Sequence, residues 1–320
     1  MIQFRLAEIN MTTKNDVEKL TQAVKKLAKQ EGAILVGVAP IERFDPIPPL
    51  FDRAPCGHDP RDFIPNARSV ISIAQPILDA VMEAPAALVD KDVEMVPPDV
   101  KHRYLEVLYN VTGHRTQDFM LEHIAQVVGQ YLQRKGYRTM FFPTTGMHPQ
   151  MPGMTEREIW EGPSRQWAEL YSPFRYTFGP LSHRHAATRA GLGEFGYNNI
   201  VLTKEFGPRQ RFNSIITEAE LVPDPLIAKP ICLRDKCMLC LKTCPMGAIT
   251  LRDNVNKSQI FIDTPAKTDA SLCTRRTDRA LYPKACFYGD CNRICPIPTE
   301  PKYLSNRLRS ILETRRKVKL

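Results

Sequence analysis

Three hundred and twenty residues of 36.4 kDa, 43% hydrophobic and 25% charged, make an ordinary globular chain of about two domains and exclude a disordered one. Mean hydropathy is −0.30, no apolar run approaches the ~18 residues of a membrane helix, and the start shows neither a twin arginine nor a basic-then-apolar signal pattern. The net charge of +9 is uneven: residues 229–320 hold 19 Lys+Arg against 8 Asp+Glu, and the remaining 228 hold 25 against 27. The expected compartment is the cytoplasm, where thiols stay reduced, so nine cysteines read as metal ligands before disulfides. The basic excess either offsets negative metal sites or meets an anionic partner such as RNA or an acidic redox protein.

Along the chain, Asn15 with Glu18 predicts a capping box. Val17, Leu20, Val24 and Leu27 then recur at helical spacing, with Gly32 as the stop. Ala33–Ile41 and Ala67–Ile77 read as strands, separated by a Pro-rich loop that carries Cys56. Residues 100–135 are helical in pattern, with Leu105, Leu108, Ile124, Val127, Val128 and Tyr131 on the apolar face and Gly113 dividing two helices. Gly136 ends this segment, and Tyr137–Phe142 is a third strand. Residues 143–180, rich in Pro, Gly, Met and aromatics, read as a long loop that shapes a pocket or packs on the surface. His183–Ala190 is a helix and Asn199–Thr203 a strand. Pro223 and Pro225 mark a domain boundary, giving units 1–222 and 223–320, the latter ending in a basic helix from Tyr303. Helices alternating with short strands give an α+β (layered α/β) fold class.

Eight cysteines form two runs: Cys232-x4-Cys237-x2-Cys240-x3-Cys244-Pro245 and Cys273-x12-Cys286-x4-Cys291-x3-Cys295-Pro296. In two-cluster ferredoxins the Cys-Pro member of each run ligates the other cluster. This crossing assigns Cys232, Cys237, Cys240 and Cys295 to one [4Fe–4S] cluster, and Cys273, Cys286, Cys291 and Cys244 to a second. Two four-thiolate zinc sites would also use eight cysteines, but zinc loops have no reason to end both runs in x3-Cys-Pro. The spacing departs from the common run, since Arg234 stands where the usual first cysteine would be and the second run has x4. Cys56 is left as a structural or merely tolerated cysteine.

Gly191-Leu192-Gly193-Glu194-Phe195-Gly196 matches G-x-G-x-x-G literally. A dinucleotide fingerprint follows a strand and opens a helix, and here the order is reversed, so the nicotinamide reading is rejected. The glycines permit a tight turn and close approach of a backbone or a large ligand.

RHAATRAGLGEFGYNNIVLTKEFGPRQRFNSIITEAELVPDPL, followed by the cysteine runs, resembles the core of the cobalamin-dependent reductive dehalogenases and of their relative, epoxyqueuosine reductase. CGHDPRDFIPNARSVISIAQPI, from Cys56, resembles the early part of the same superfamily. The resemblance implies a nitroreductase-like domain holding a base-off cobalamin, followed by a ferredoxin-like domain that reduces it. Carried over by position, Gly191, Leu192, Gly193, Asn198 and Asn199 would lie against the corrinoid. Arg209 and Arg211 would face the cavity or the corrinoid phosphate, the alternative being a surface loop paired with Glu205 or Glu218. The aspartate that serves epoxyqueuosine reductases as proton donor aligns with Thr177, which cannot act as an acid near neutral pH. Adjacent Tyr176 matches the tyrosine donor of the dehalogenases, and His183 or His185 is the next candidate, with His148 behind them. On a helix i and i+2 point about 200° apart, so the two histidines do not face one cavity.

The leading expectation is thus a cytoplasmic iron–sulfur, cobalamin-dependent reductase of a small organic substrate, fed by an external low-potential donor (ferredoxin or flavodoxin). The alternatives are a two-cluster electron-transfer protein without corrinoid, and a tRNA-modifying reductase, which the basic half favours and Thr177 disfavours. Flavin in place of the corrinoid is not excluded, because nitroreductase-like folds commonly hold it.

Overall fold

In a computed structural model the described residues are 13–45, 59–83, 109–144, 181–269, 273, 289–304 and 306–318. Helix α1 (Lys14–Gln30) opens on Thr13, whose hydroxyl accepts from the Asp16 N–H while the Asp16 carboxylate accepts from the Thr13 N–H, both at 3.2 Å. The capping box therefore lies two residues before the expected Asn15/Glu18 pair. The earlier start adds a backbone bond from Val17 N–H to the Thr13 carbonyl. Thr13→Ala should cost about 1 kcal/mol, read as a lower thermal midpoint by circular dichroism.

Val17, Thr21, Val24 and Ala28 repeat at three- and four-residue spacing and bury one face of α1. That face and α2 (Thr116–Arg134), through Leu121, Ile124, Ala125, Val128 and Leu132, cover one side of a four-stranded sheet. The strands are β1 (Leu35–Pro40), β2 (Ser69–Pro76), β3 (Thr139–Phe141) and β6 (Gln210–Thr217), ordered β1-β2-β6-β3 with every neighbour antiparallel. Against the other side pack α3 (His183–Arg189) and a second apolar cluster that includes Phe44, Val70, Phe142, Ala186 and Ile216. Each fully buried Leu or Ile contributes about 1.5–3 kcal/mol. The class is α+β, as expected, with its central strands covered on both faces.

Several expectations are corrected. Gly113 does not divide two helices: it sits in a π-helical turn (Asn110–Arg115) that runs straight into α2. A side chain there would press on the Tyr109 ring at 3.1 Å, so the glycine makes room for that ring. The third strand is shorter than expected, and β6 was not expected at all. Leu105, Leu108, Cys56, and residues 145–180 with His148, Tyr176 and Thr177 lie outside the described residues.

After α3 the chain turns through Gly191 at φ +75°. It then forms a two-stranded hairpin of β4 (Glu194–Phe195) and β5 (Val201–Leu202). A hairpin in place of a helix after the glycines agrees with rejecting the dinucleotide motif. Further along stand a second hairpin, β7 (Ile249–Leu251) with β8 (Ala266–Thr268), and the helices α4 (Leu239–Thr243), α5 (Asp290–Arg293) and α6 (Asn306–Val318). The expected boundary at 222/223 is spanned by one core. Ala74, Phe195, Tyr197, Val201 and Phe212 cluster with Phe261, and Cys232, Met238 and Cys240 pack against them. Among the described residues no helix is long and apolar enough to cross a membrane.

Candidate iron–sulfur site

One cavity brings Cys232, Cys237, Cys240 and Cys295 together, walled by Tyr197, Leu202, Met238, Leu239 and Ile297. Three of the sulfurs come from one loop. Arg234 and Met238 in that loop adopt left-handed backbone (φ 53° and 54°), which lets the chain fold back on itself within a few residues. Cys240 rides on α4, against which α5 packs, carrying Cys291. The fourth sulfur arrives from the far side of the sequence on the Cys295-Pro296 loop.

Arg209 holds that loop. Its guanidinium, 6% exposed, donates to the carbonyls of Cys295 (3.1 Å), Ile297 (3.0 Å) and Thr299 (3.3 Å), and pairs with Asp79 at 3.5 Å. Five donors in a fixed fork suit such a multi-carbonyl clamp. Arg209, expected toward a corrinoid phosphate or a loop glutamate, makes these contacts within the protein. Gly207, at φ +57°, lies so close to Ile297 that a Cβ would overlap its carbonyl.

Burial pushes the thiols of Cys232, Cys240 and Cys295 up, that of Cys295 to about 12, and their mutual proximity adds to the effect. Three buried thiols that resist ionisation fit a site meant for a positively charged inorganic core, whose binding would release their protons. Among the described residues no three His, Cys, Asp or Glu side chains converge to hold a metal ion. The thiolates of a cubane stand at its outer corners, wider apart than the ligands around a single ion. Cys244, Cys273 and Cys291 form no disulfide, and Cys244 accepts from the Ala248 N–H at 3.3 Å. Cys286 lies outside the described residues.

The residues expected against a corrinoid are occupied within the protein. At Gly191 and Gly193 a side chain would run into the carbonyls of Pro225 and Leu202, so these glycines admit backbone. Leu192 packs between two core clusters. Asn198 donates to the Cys291 carbonyl at 3.4 Å and to the Asn292 side chain at 3.3 Å. Asn199, at φ 57°, donates to the Ala266 carbonyl (2.8 Å) and the Thr268 hydroxyl (3.0 Å), and accepts from the Ala266 N–H (3.1 Å). Both asparagines tie the turn to the cysteine-bearing half.

The two histidine candidates make separate contacts. His183 bonds Ser214 at 3.0 Å and the Pro143 carbonyl at 2.9 Å, and desolvation, with Arg211 nearby, draws its imidazole down to about 4. It is neutral near pH 7 and holds Ser214 and Pro143 in place. His185 contacts Ser182 at 2.7 Å and lies 3.8 Å from Asp263. Arg211 forms an ion pair with Asp118 at 2.8 Å and touches the His114 ring.

Glu194 and Arg234 went unrecognised in the sequence as parts of the site. Glu194 is wholly buried on β4 and accepts from the Ile231 and Cys232 amides, and Arg234 is its ion-pair partner at 3.1 Å. The one available signal was a glutamate embedded in an otherwise apolar and glycine-rich turn.

No family model matches the chain. Over 67 residues, 20% of the chain, it is 42% identical to tetrachloroethene reductive dehalogenases of Desulfitobacterium hafniense and Dehalobacter restrictus. That stretch spans only 12% of the length of those relatives. An epoxyqueuosine reductase solved with an epoxyqueuosine-modified tRNA-Tyr stem loop aligns over 91% of this chain and 68% of its own, at 19% identity and a TM-score of 0.51. A reductive dehalogenase whose structure suggests a mechanism for B12-dependent dehalogenation aligns over 98% of this chain and 36% of its own, at 19% identity and a TM-score of 0.52. The chain shares the fold of these two groups of reductases.

Proposed function

We propose that this chain is an iron–sulfur reductase that carries low-potential electrons through two [4Fe–4S] clusters to an acceptor in its first two thirds, where a small organic substrate is reduced. The observation that carries the reading is the delivery of Cys295 to the cavity of Cys232, Cys237 and Cys240. A cubane bound there supplies one-electron transfer at potentials reaching about −700 mV at the low end. The chain's own contribution is to shape and dry the site. Leu202, Leu239 and Ile297 exclude water, Arg209 fixes the fourth ligand's loop, and the Tyr197 hydroxyl is turned away to the Asp235 carboxylate at 2.9 Å.

The likeness to a B12-dependent dehalogenase supports cobalamin as the acceptor, with Gly191, Leu192, Gly193, Asn198, Asn199 and Arg209 as the residues proposed to lie beside it. Tyr176 is our proposed donor of the proton that each reduced bond requires. A ferredoxin or flavodoxin is the proposed electron source, and the cytoplasm the proposed location. Domains 1–222 and 223–320 stand as proposed functional units joined by a shared core.

Anaerobic purification with iron, sulfide, cobalt, flavin and zinc quantified tests this. About eight irons and one cobalt per chain are expected, from two cubanes and one corrinoid. The same iron with neither cobalt nor flavin would assign the electron-carrier role instead. A colourless protein loaded with zinc would end the iron–sulfur reading.

A further inference from the structure

Glu194 has no place in the ligand set, yet no side chain of the site is more completely enclosed: it is 0% exposed. One carboxylate oxygen accepts from the backbone amides of Ile231 (2.5 Å) and Cys232 (2.8 Å). The other accepts from the Phe261 amide and the Arg234 guanidinium, each at 3.1 Å. Arg234 in turn donates to the carbonyls of Lys257 and Gln259 and lies over the Phe261 ring at 4.3 Å. A buried carboxylate with four donors is fixed in place, and its charge is felt at short range in a medium of low polarity.

We propose that Glu194 is a positioning residue for the Cys232 ligand and holds the adjacent cluster at low potential. The inference rests on the cluster reading above and deepens it. Two effects act in one direction. The first is charge, since a carboxylate one residue contact from a ligand disfavours adding an electron. The second is hydrogen bonding. Amides that donate to cluster sulfurs raise the potential, and the Ile231 and Cys232 amides are already spent on Glu194. Arg234 partly offsets the charge, and it occupies the position where the common ferredoxin run has its first cysteine. The departure in spacing thus supplies the partner of Glu194 and shifts the ligand to Cys232.

The test is an EPR-monitored redox titration of the anaerobic full chain beside its Glu194→Gln and Arg234→Met variants. Glu194→Gln keeps the shape and removes the charge. Its first cluster should titrate at a more positive potential with iron content at the parent level, and the second cluster should stay where it was. Arg234→Met leaves the carboxylate unopposed and should move the first cluster the other way. Hydrogen exchange of the 231–232 amides, slow in the parent with or without iron, should quicken in Glu194→Gln. Iron-loaded parent and Glu194→Gln proteins with one and the same potential would overturn the inference. A parent without iron would overturn the cluster reading, leaving the amide exchange to judge whether Glu194 holds the loop.

Discussion

Cys295→Ala is expected to strip about four of eight irons from the protein, the complement of one cubane, and to abolish substrate reduction. The 232–240 loop supplies three of the cavity's cysteines, and three thiolates leave one corner of a cubane to water. The substitution itself is mild for the fold. Arg209 grips the backbone carbonyls of Cys295, Ile297 and Thr299, and none of these bonds uses the sulfur. Lost iron can then be ascribed to the missing ligand if the circular dichroism and thermal midpoint of the metal-free variant match those of the metal-free parent. Iron and sulfide analysis, with EPR of the dithionite-reduced protein, reads the outcome. Iron retained at the parent level would remove Cys295 from the ligand set and with it the crossing of the two runs.

Gly207→Ala should be nearly as damaging, by a different route. Gly207 has φ +57° and exchanges backbone hydrogen bonds with Thr203, N–H to carbonyl in both directions, at 2.9 and 3.0 Å. A left-handed backbone costs an L-residue about 1–2 kcal/mol. The added methyl would also overlap the Ile297 carbonyl, which is backbone and cannot swing aside. Overpacking of this kind typically costs a further ~1–3 kcal/mol. The sum, roughly 2–5 kcal/mol, should appear as a lower thermal midpoint, together with iron loss because the displaced atoms belong to the Cys295-Pro296 loop. Gly136→Ala is the control: its φ is +92°, but nothing lies within 4 Å of the new methyl, so only the backbone term applies. Equal destabilisation by the two variants would show that the Ile297 contact contributes nothing.

The parts of this protein that were legible in its sequence are those with a local code. Helix α1, strands β1 and β2, the stop at Gly136 and the cysteine runs all carry spacing or turn signals. The start of α1 was misplaced because Thr13/Asp16 and Asn15/Glu18 have the same capping spacing, and only the finished helix chooses between them. Strand β6 was missed for a deeper reason. QRFNSIIT is covered on both faces, so it lacks polar–apolar alternation, and its buried Asn213, Ser214 and Thr217 interrupt any apolar run. Those polar groups are satisfied by distant partners such as the Phe142 carbonyl for Asn213, which no local pattern announces. The bonds of Asn198, Asn199 and Arg209 run to Cys291, Ala266 and Cys295, 67 to 93 residues onward, and no local spacing encodes them. Glu194 and Arg234 were invisible as a pair because 40 residues separate them.

The ligand set of the proposed first cluster reaches from residue 232 to residue 295. During synthesis the chain must therefore wait. A nascent polypeptide that has exposed Cys232, Cys237 and Cys240 lacks the assigned fourth ligand, Cys295, until the Cys-Pro loop clears the ribosome. Biogenesis must keep three vulnerable sulfurs from oxidants over that interval, and cluster insertion becomes one of the last events of maturation.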